Sequence, residues 1–259
     1  MSTLMPAFFI GHGNPMITLS KNTYTEAWEE IGKLVPRPKA VLAVSAHWYI
    51  SSSAVTMSTA PSTIHDFGGF TRELHEVQYP APGSPELARH IKDLLSPKAV
   101  ELDNDWGLDH GTWAVLRHLF PKADIPVVQL SIDRTKPAEY HYELAKRLAS
   151  LREEGVLVVG SGNIVHSLHA YSWGNSAAQP YDWAVRFEKQ IREFILKSDD
   201  ASVIAFEKLG NDAMLSVPSP DHFLPLLYIL GLRKENEEVK FPVEGFDGGS
   251  MSMLAVQIG

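Results

Sequence analysis

The 259-residue chain is 44% hydrophobic and 21% charged, an ordinary globular balance that supports a substantial core and gives no compositional reason for disorder. Its formal net charge of −8, with no dense lysine and arginine stripe, argues against nucleic acid or an anionic membrane as the main partner and favours a small molecule. Cysteine is absent, which excludes disulfides, thiolate ligands, iron–sulfur clusters and cysteine nucleophiles together; any metal must be held by nitrogen and oxygen, which suits iron(II), zinc or manganese.

At the start of the chain, Met1-Ser-Thr-Leu-Met-Pro lacks the basic segment of a signal peptide, and no apolar stretch approaches the roughly 20 residues that span a bilayer, so a cytoplasmic protein is expected. Apolar, β-branched runs at 6–10, 40–46, 126–132, 156–160 and 251–258 predict strands. Helical periodicity over 24–34, 85–95, 111–119, 138–153, 181–197 and 221–230 predicts the elements between them. This alternation implies an α/β chain with a mostly parallel central sheet covered on both faces. With no repeat and no linker, residues 1–259 read as a single domain.

Some helix ends carry chemical signals. Ser84-Pro85-Glu86 offers an N-cap, a proline at the first helical position and an early acidic residue; Ser219-Pro220-Asp221 repeats the pattern and would place His222 in a first helical turn. Gly155 reads as the stop of the 138–153 helix. The stretch 61–85 is rich in glycine, proline and aromatics without a period, and reads as a pocket wall or lid.

Eleven histidines are present. His90, His118 and His141 lie in helical patterns beside charged residues and, like His75 and His169, read as solvated or structural. Five stand apart. His12 and His47 follow the first two apolar runs, where an open α/β sheet places its ligands beyond the carboxyl ends of the strands. His166 follows Val158-Val-Gly-Ser-Gly-Asn-Ile-Val, His110 lies in Leu108-Asp-His-Gly-Thr-Trp113, and His222 opens the late helix. Any one of them alone is as well explained by a structural hydrogen bond; a metal explains why several would converge. Asp109, Asp221 and Glu244 are the carboxylates available to complete a two-histidine, one-carboxylate site, and each also has a structural explanation as turn, helix-start or strand-edge residue.

The segments Gly11-His-Gly-Asn-Pro-Met16, Ser45-Ala-His-Trp48, Ile64-His-Asp-Phe-Gly-Gly-Phe70, Tyr79-Pro-Ala-Pro-Gly83, Leu108-Asp-His-Gly-Thr-Trp113, Gly160-Ser-Gly-Asn163 with His166, and Pro220-Asp-His-Phe-Leu-Pro-Leu226 resemble the class III extradiol ring-cleavage dioxygenases. Within them the 4,5-DOPA dioxygenase group, related to the large subunit of protocatechuate 4,5-dioxygenase, is the nearest likeness, and it covers nearly the whole chain. The resemblance implies a three-layer α/β/α sandwich and one divalent metal, Fe(II) for activity or Zn(II) as isolated. By motif, His12 and His47 correspond to metal ligands, His222 to the third ligand of the DOPA-type group, His110 to a pocket histidine, and His166 to the acid–base histidine. In protocatechuate-type enzymes a glutamate is the third ligand. Taking His222 instead leaves His166 open between acid–base group and fourth ligand, and makes the donor set less negative.

The implied reaction is cleavage of a catechol such as DOPA with O2 to a muconic semialdehyde, with His65, Phe67, Phe70, Trp48 and Trp113 expected along the ring pocket. The glycines of Asp66-Phe-Gly-Gly would let that loop gate entry. Arg72, Arg117, Arg134 and Arg186 are available for a substrate carboxylate, and nothing in the sequence selects among them. The expected partners are this small aromatic substrate and O2, with a homo-oligomer compatible. Two other readings stay open: a zinc-dependent hydrolase on the same scaffold, and a non-enzymatic metal-binding or interaction protein. A serine hydrolase is weaker, because Gly160-Ser-Gly162 lacks the first glycine of a nucleophile elbow, position 159 being Val.

Overall fold

The computed structural model describes residues 4–259; Met1, Ser2 and Thr3, the start of the segment read above for a targeting signal, lie outside them. Six strands form the central sheet: β1 (Ala7–Gly11), β2 (Ala40–Ser45), β3 (Val127–Gln129), β4 (Val156–Gly162), β5 (Val239–Val243) and β6 (Ala255–Ile258). Their order is β3-β2-β4-β1-β6-β5, parallel from β3 to β1 and antiparallel across β1–β6 and β6–β5. The sheet is therefore mostly parallel, with an antiparallel edge.

The period-2 alternation of a strand sends neighbouring side chains to opposite faces, and here both faces are apolar. Phe9, Leu42, Val44, Val128, Val158 and Val256 enter one core, under helices Ala138–Lys146, Asp182–Leu196 and Leu224–Gly231. Phe8, Ile10, Val41, Val127, Leu157 and Val159 enter the other, under helices Thr23–Leu34 and His110–Leu119. Both cores are buried, which gives the three-layer α/β/α sandwich.

Local chemistry explains most boundaries. Helix Thr23–Leu34 starts at Asn22, whose side chain accepts from the Tyr24 and Thr25 amides, and Pro85–Leu95 starts at Ser84, as expected from sequence. The 138–153 run is a helix to Lys146 and then a separate 3-10 turn, Ala149–Arg152. The 251–258 run divides into Met251–Ser252 and β6. The last helix begins at Leu224 rather than at 221, so His222 precedes it. The cause is tertiary: the His222 carbonyl accepts from the Asn163 amide, and the continuous helix starts only at Leu224, with Pro225 in its first turn.

Arg152, fully buried, binds together distant parts of the chain. It donates to the Met5, Leu232 and Ile258 carbonyls and pairs both terminal nitrogens with Glu237 at 2.6 and 2.7 Å. Removing the arginine leaves a partly buried carboxylate and several buried carbonyls unsatisfied, at a cost of about 3 kcal/mol. Arg152→Leu is expected to lower stability by that amount in urea denaturation, with metal content unchanged because the site described next lies elsewhere.

Candidate metal centre

The parallel strands β1, β2 and β4 end side by side, and the site is built on their carboxyl ends. His12 directly follows β1, and its amide donates to the Gly162 carbonyl at the end of β4. His47 lies two residues beyond β2, past Ala46, whose amide donates to Ser161. The turn carrying His222 docks on β4 because Gly162 has no side chain: a Cβ there would meet the His222 carbonyl oxygen at 2.1 Å. Gly111 opens space for His47 in the same way, since its Cβ would lie 2.9 Å from the His47 ring. The three rings form a nearly equilateral triangle, with centroids 5.0, 5.1 and 5.3 Å apart.

Hydrogen bonding assigns the protons. Ser161 Oγ donates to the Gly111 carbonyl, so it accepts from His12 Nδ1, 2.9 Å away. His47 Nδ1 lies 3.2 Å from Asp66 Oδ2, an atom that only accepts, and His222 Nδ1 donates to Asp221 Oδ2. With one ring proton placed on Nδ1 to satisfy these contacts, each Nε2 would present a lone pair. The Nε2 atoms of His12 and His47 face each other at 3.2 Å, and the buried Nε2 of His222 has no hydrogen-bond partner. Candidate ligand atoms of the three rings all lie within 4.8 Å of one another.

Burial first, and then the neighbouring histidines, push His12 and His47 well below the usual imidazole range, so they stay neutral. Three imidazoles converging in a largely buried site fit one divalent cation. Burial would raise Asp66 and Asp221, but hydrogen bonds to His110 and to His222 outweigh it and hold both carboxylates low and ionised. The negative charge missing from the donor set therefore stands one bond further out.

The sequence profile of the family described as the catalytic LigB subunit of aromatic ring-opening dioxygenase matches residues 7–255. The chain belongs to this family. It is 47% identical to the 4,5-DOPA dioxygenase extradiol of Escherichia coli (strain K12), covering 100% of this chain and 96% of that protein. It is 37% identical to the Beta vulgaris protein of the same description, over 95% of this chain and 93% of the other. The crystal structure of an uncharacterized Escherichia coli K12 protein superposes with a TM-score of 0.86 at 43% identity, covering 98% of this chain and all of that one. A LigB-type dioxygenase requires a divalent metal, and His12, His47 and His222 supply a place for it.

Around this triangle the dioxygenase assembles some of the other residues expected from sequence and not all. His166 stacks face to face on His222, centroids 3.5 Å apart and planes 5° from parallel. His110 packs on His47 at 3.8 Å and gives Asp66 two hydrogen bonds, from its amide and from Nδ1. Phe67 lies 5.3 Å from the His110 ring, with His65, Phe70, His75 and Trp113 around it, so the irregular 61–85 stretch packs beside the histidines. Trp48 turns away and stacks on Trp106 instead.

The carboxylates sort differently from the sequence-based alternatives. Asp109 caps helix His110–Leu119 and is bound by Gln129; Glu244 pairs with Arg192 at the surface; Asp221 reaches the site only through His222. From sequence, Asp66 reads only as part of a gating loop and Ser161 only as a weak nucleophile, although both lie inside motifs that carried the family likeness. Replacing such outer partners typically lowers metal affinity about 10–100-fold. Asp66→Asn is expected to do so in competition with a chromophoric chelator, with an unchanged circular dichroism spectrum. His222→Ala should abolish stoichiometric binding in the same assay.

Proposed function

We propose that this extradiol dioxygenase is iron(II)-dependent and opens the ring of DOPA or a closely related catechol, acting as one catalytic domain over residues 1–259. In this reading His12, His47 and His222 hold the metal through Nε2, and His166 transfers protons. The observation that carries it is the convergence of three bare Nε2 lone pairs at the carboxyl ends of β1, β2 and β4. The likeness to two 4,5-DOPA dioxygenases over their whole length supports the substrate class.

When bound, the iron supplies a shared centre for the two catechol oxygens and O2 and a path for electrons from ring to oxygen. The protein does the rest. The face-to-face stack on His222 supports His166 as an acid–base group beside a metal that His12, His47 and His222 would hold, and not as a fourth ligand. His166 is kept neutral by burial, then by its histidine neighbours, so it is ready to take a phenolic proton and return it as the ring opens. Phe67, His65 and Trp113 offer apolar and edge surfaces to the ring and limit water.

His110 Nδ1 faces Asp66 Oδ2 at 2.9 Å, which leaves its Nε2 to hydrogen-bond a substrate oxygen or O2. A neutral three-histidine donor set also suits zinc, and this one feature favours the hydrolase alternative.

Protein purified anaerobically and reconstituted with iron(II) is expected to consume oxygen with DOPA and form a yellow semialdehyde, while the zinc form consumes none. Absence of uptake by protein shown to contain iron contradicts the proposal and favours the hydrolase. His166→Ala should lower kcat by about 10²–10⁴-fold with metal content retained. Because His166 acts as a neutral base held below its ordinary value of 6.5, the acid limb of the wild-type rate profile should fall below that pH and vanish in the variant.

A further inference from the structure

Glu188 places a carboxyl group where the core is otherwise apolar. It lies on helix Asp182–Leu196 beside Phe187 and Ile191, both fully buried, and is itself only 6% exposed. Burial pushes it up to about 7, against the lowering effects of a hydrogen bond from Ser252 and the charge of Arg192. Arg192 does not pair with it, because both terminal nitrogens of that arginine go to Glu244 at the surface. A glutamate is seldom buried without a cationic partner, and an apolar side chain would be less costly here.

The one hydrogen-bond partner of Glu188 among the described residues is the Ser252 hydroxyl, which accepts from the Leu254 amide and gives its proton to the carboxylate. Ser252 in turn ties the helix to the turn that carries His166. Residues 250–252 run antiparallel to 165–167: the Ser252 amide donates to the Val165 carbonyl at 3.0 Å, and His166 bridges to Met251. The Ser167 amide donates to the Ser250 carbonyl at 3.2 Å, and its carbonyl accepts from the Ser250 hydroxyl at 2.8 Å. Asn163 links the same strand to the other ring of the stack, with Nδ2 donating to the Ser252 carbonyl at 2.7 Å and the amide to the His222 carbonyl at 2.9 Å.

The rings of His12, His47 and His222 each have a partner at Nδ1, whereas the His166 ring has no hydrogen-bond partner among the described residues. Its place is set by the stack on His222 and by its own backbone. That backbone is held by the strand that Glu188 tethers.

We infer that Glu188 is a positioning residue for ring opening: through Ser252 it holds the 163–167 turn so that His166 stays aligned on His222 for proton transfer. This rests on the reading of His166 as the acid–base group.

The test compares Glu188→Leu, Glu188→Gln and Ser252→Ala with wild type by oxygen uptake of the iron form with DOPA, chelator competition and thermal melting. A small misplacement of a reacting group costs up to about 100-fold in rate, so Glu188→Leu and Ser252→Ala should lower kcat by about 10–100-fold with KM and metal affinity unchanged. Glu188→Gln keeps an acceptor for the Ser252 hydroxyl and should recover part of the loss. Glu188→Leu should melt no lower than wild type, because it removes a buried unpaired carboxyl. In zinc-loaded protein with isotope-labelled histidine, it should move the His166 ring resonance and leave that of His47. Combined with His166→Ala it should lower kcat no further, since both act through one ring.

Wild-type kcat in Glu188→Leu and Ser252→Ala overturns the inference, as does a loss that persists in the His166→Ala background or that accompanies lost metal. If Glu188→Leu does not fold, Ser252→Ala decides by the same readings. In each of these cases the dioxygenase reading stands. Wild-type protein that contains iron and takes up no oxygen overturns both.

Discussion

The structure depends on aiming three imidazoles through the same nitrogen at one point. A neutral imidazole has one ring proton to place, so Nε2 is a ligand only if Nδ1 has an acceptor. Ser161, Asp66 and Asp221 provide the three acceptors, and each comes from a different part of the chain. The two carboxylates are ionised and would match the charge of a divalent ion, which makes an all-histidine donor set electrostatically reasonable without a carboxylate touching the metal.

The fold serves this constraint through backbone proximity. Parallel strands bring Gly11, Ser45 and Gly162 to one edge, and glycines allow rings and turns to approach where a Cβ would collide. Gly162 matters most, because the same close approach that seats the His222 turn also ties its carbonyl to Asn163. The loop from 61 to 85 is irregular because it must deliver Asp66 to two histidines and Phe67 to the ring wall at once. Its lack of a sequence period follows from that task.

Strand and helix order was largely readable, because both faces of the sheet are apolar and the helices carry their own caps. What escaped had physical reasons. β5 contains Pro242 and sits at the sheet edge with an alternating, half-exposed pattern, so it does not read as a buried run. The start of the last helix shifted because a tertiary hydrogen bond from Asn163 took the His222 carbonyl, which local capping signals do not report. For the site, His12, His47 and His222 were legible from position at the strand ends and from family likeness. Asp66 and Ser161 were not, since their importance lies in which ring proton they receive, a property of three-dimensional contact. Trp48 was expected in the pocket from its place beside His47, but it leaves the turn that carries His47 and stacks on Trp106.

The most direct measurement is a crystal structure of the metal-loaded protein with anomalous scattering data collected at the metal edge. The account predicts one ion per chain, bound by Nε2 of His12, His47 and His222, with Asp66 and Asp221 on the opposite ring nitrogens and His166 outside the coordination sphere. An ion ligated by Asp66, Asp221 or His166, or lying away from the three rings, would contradict it.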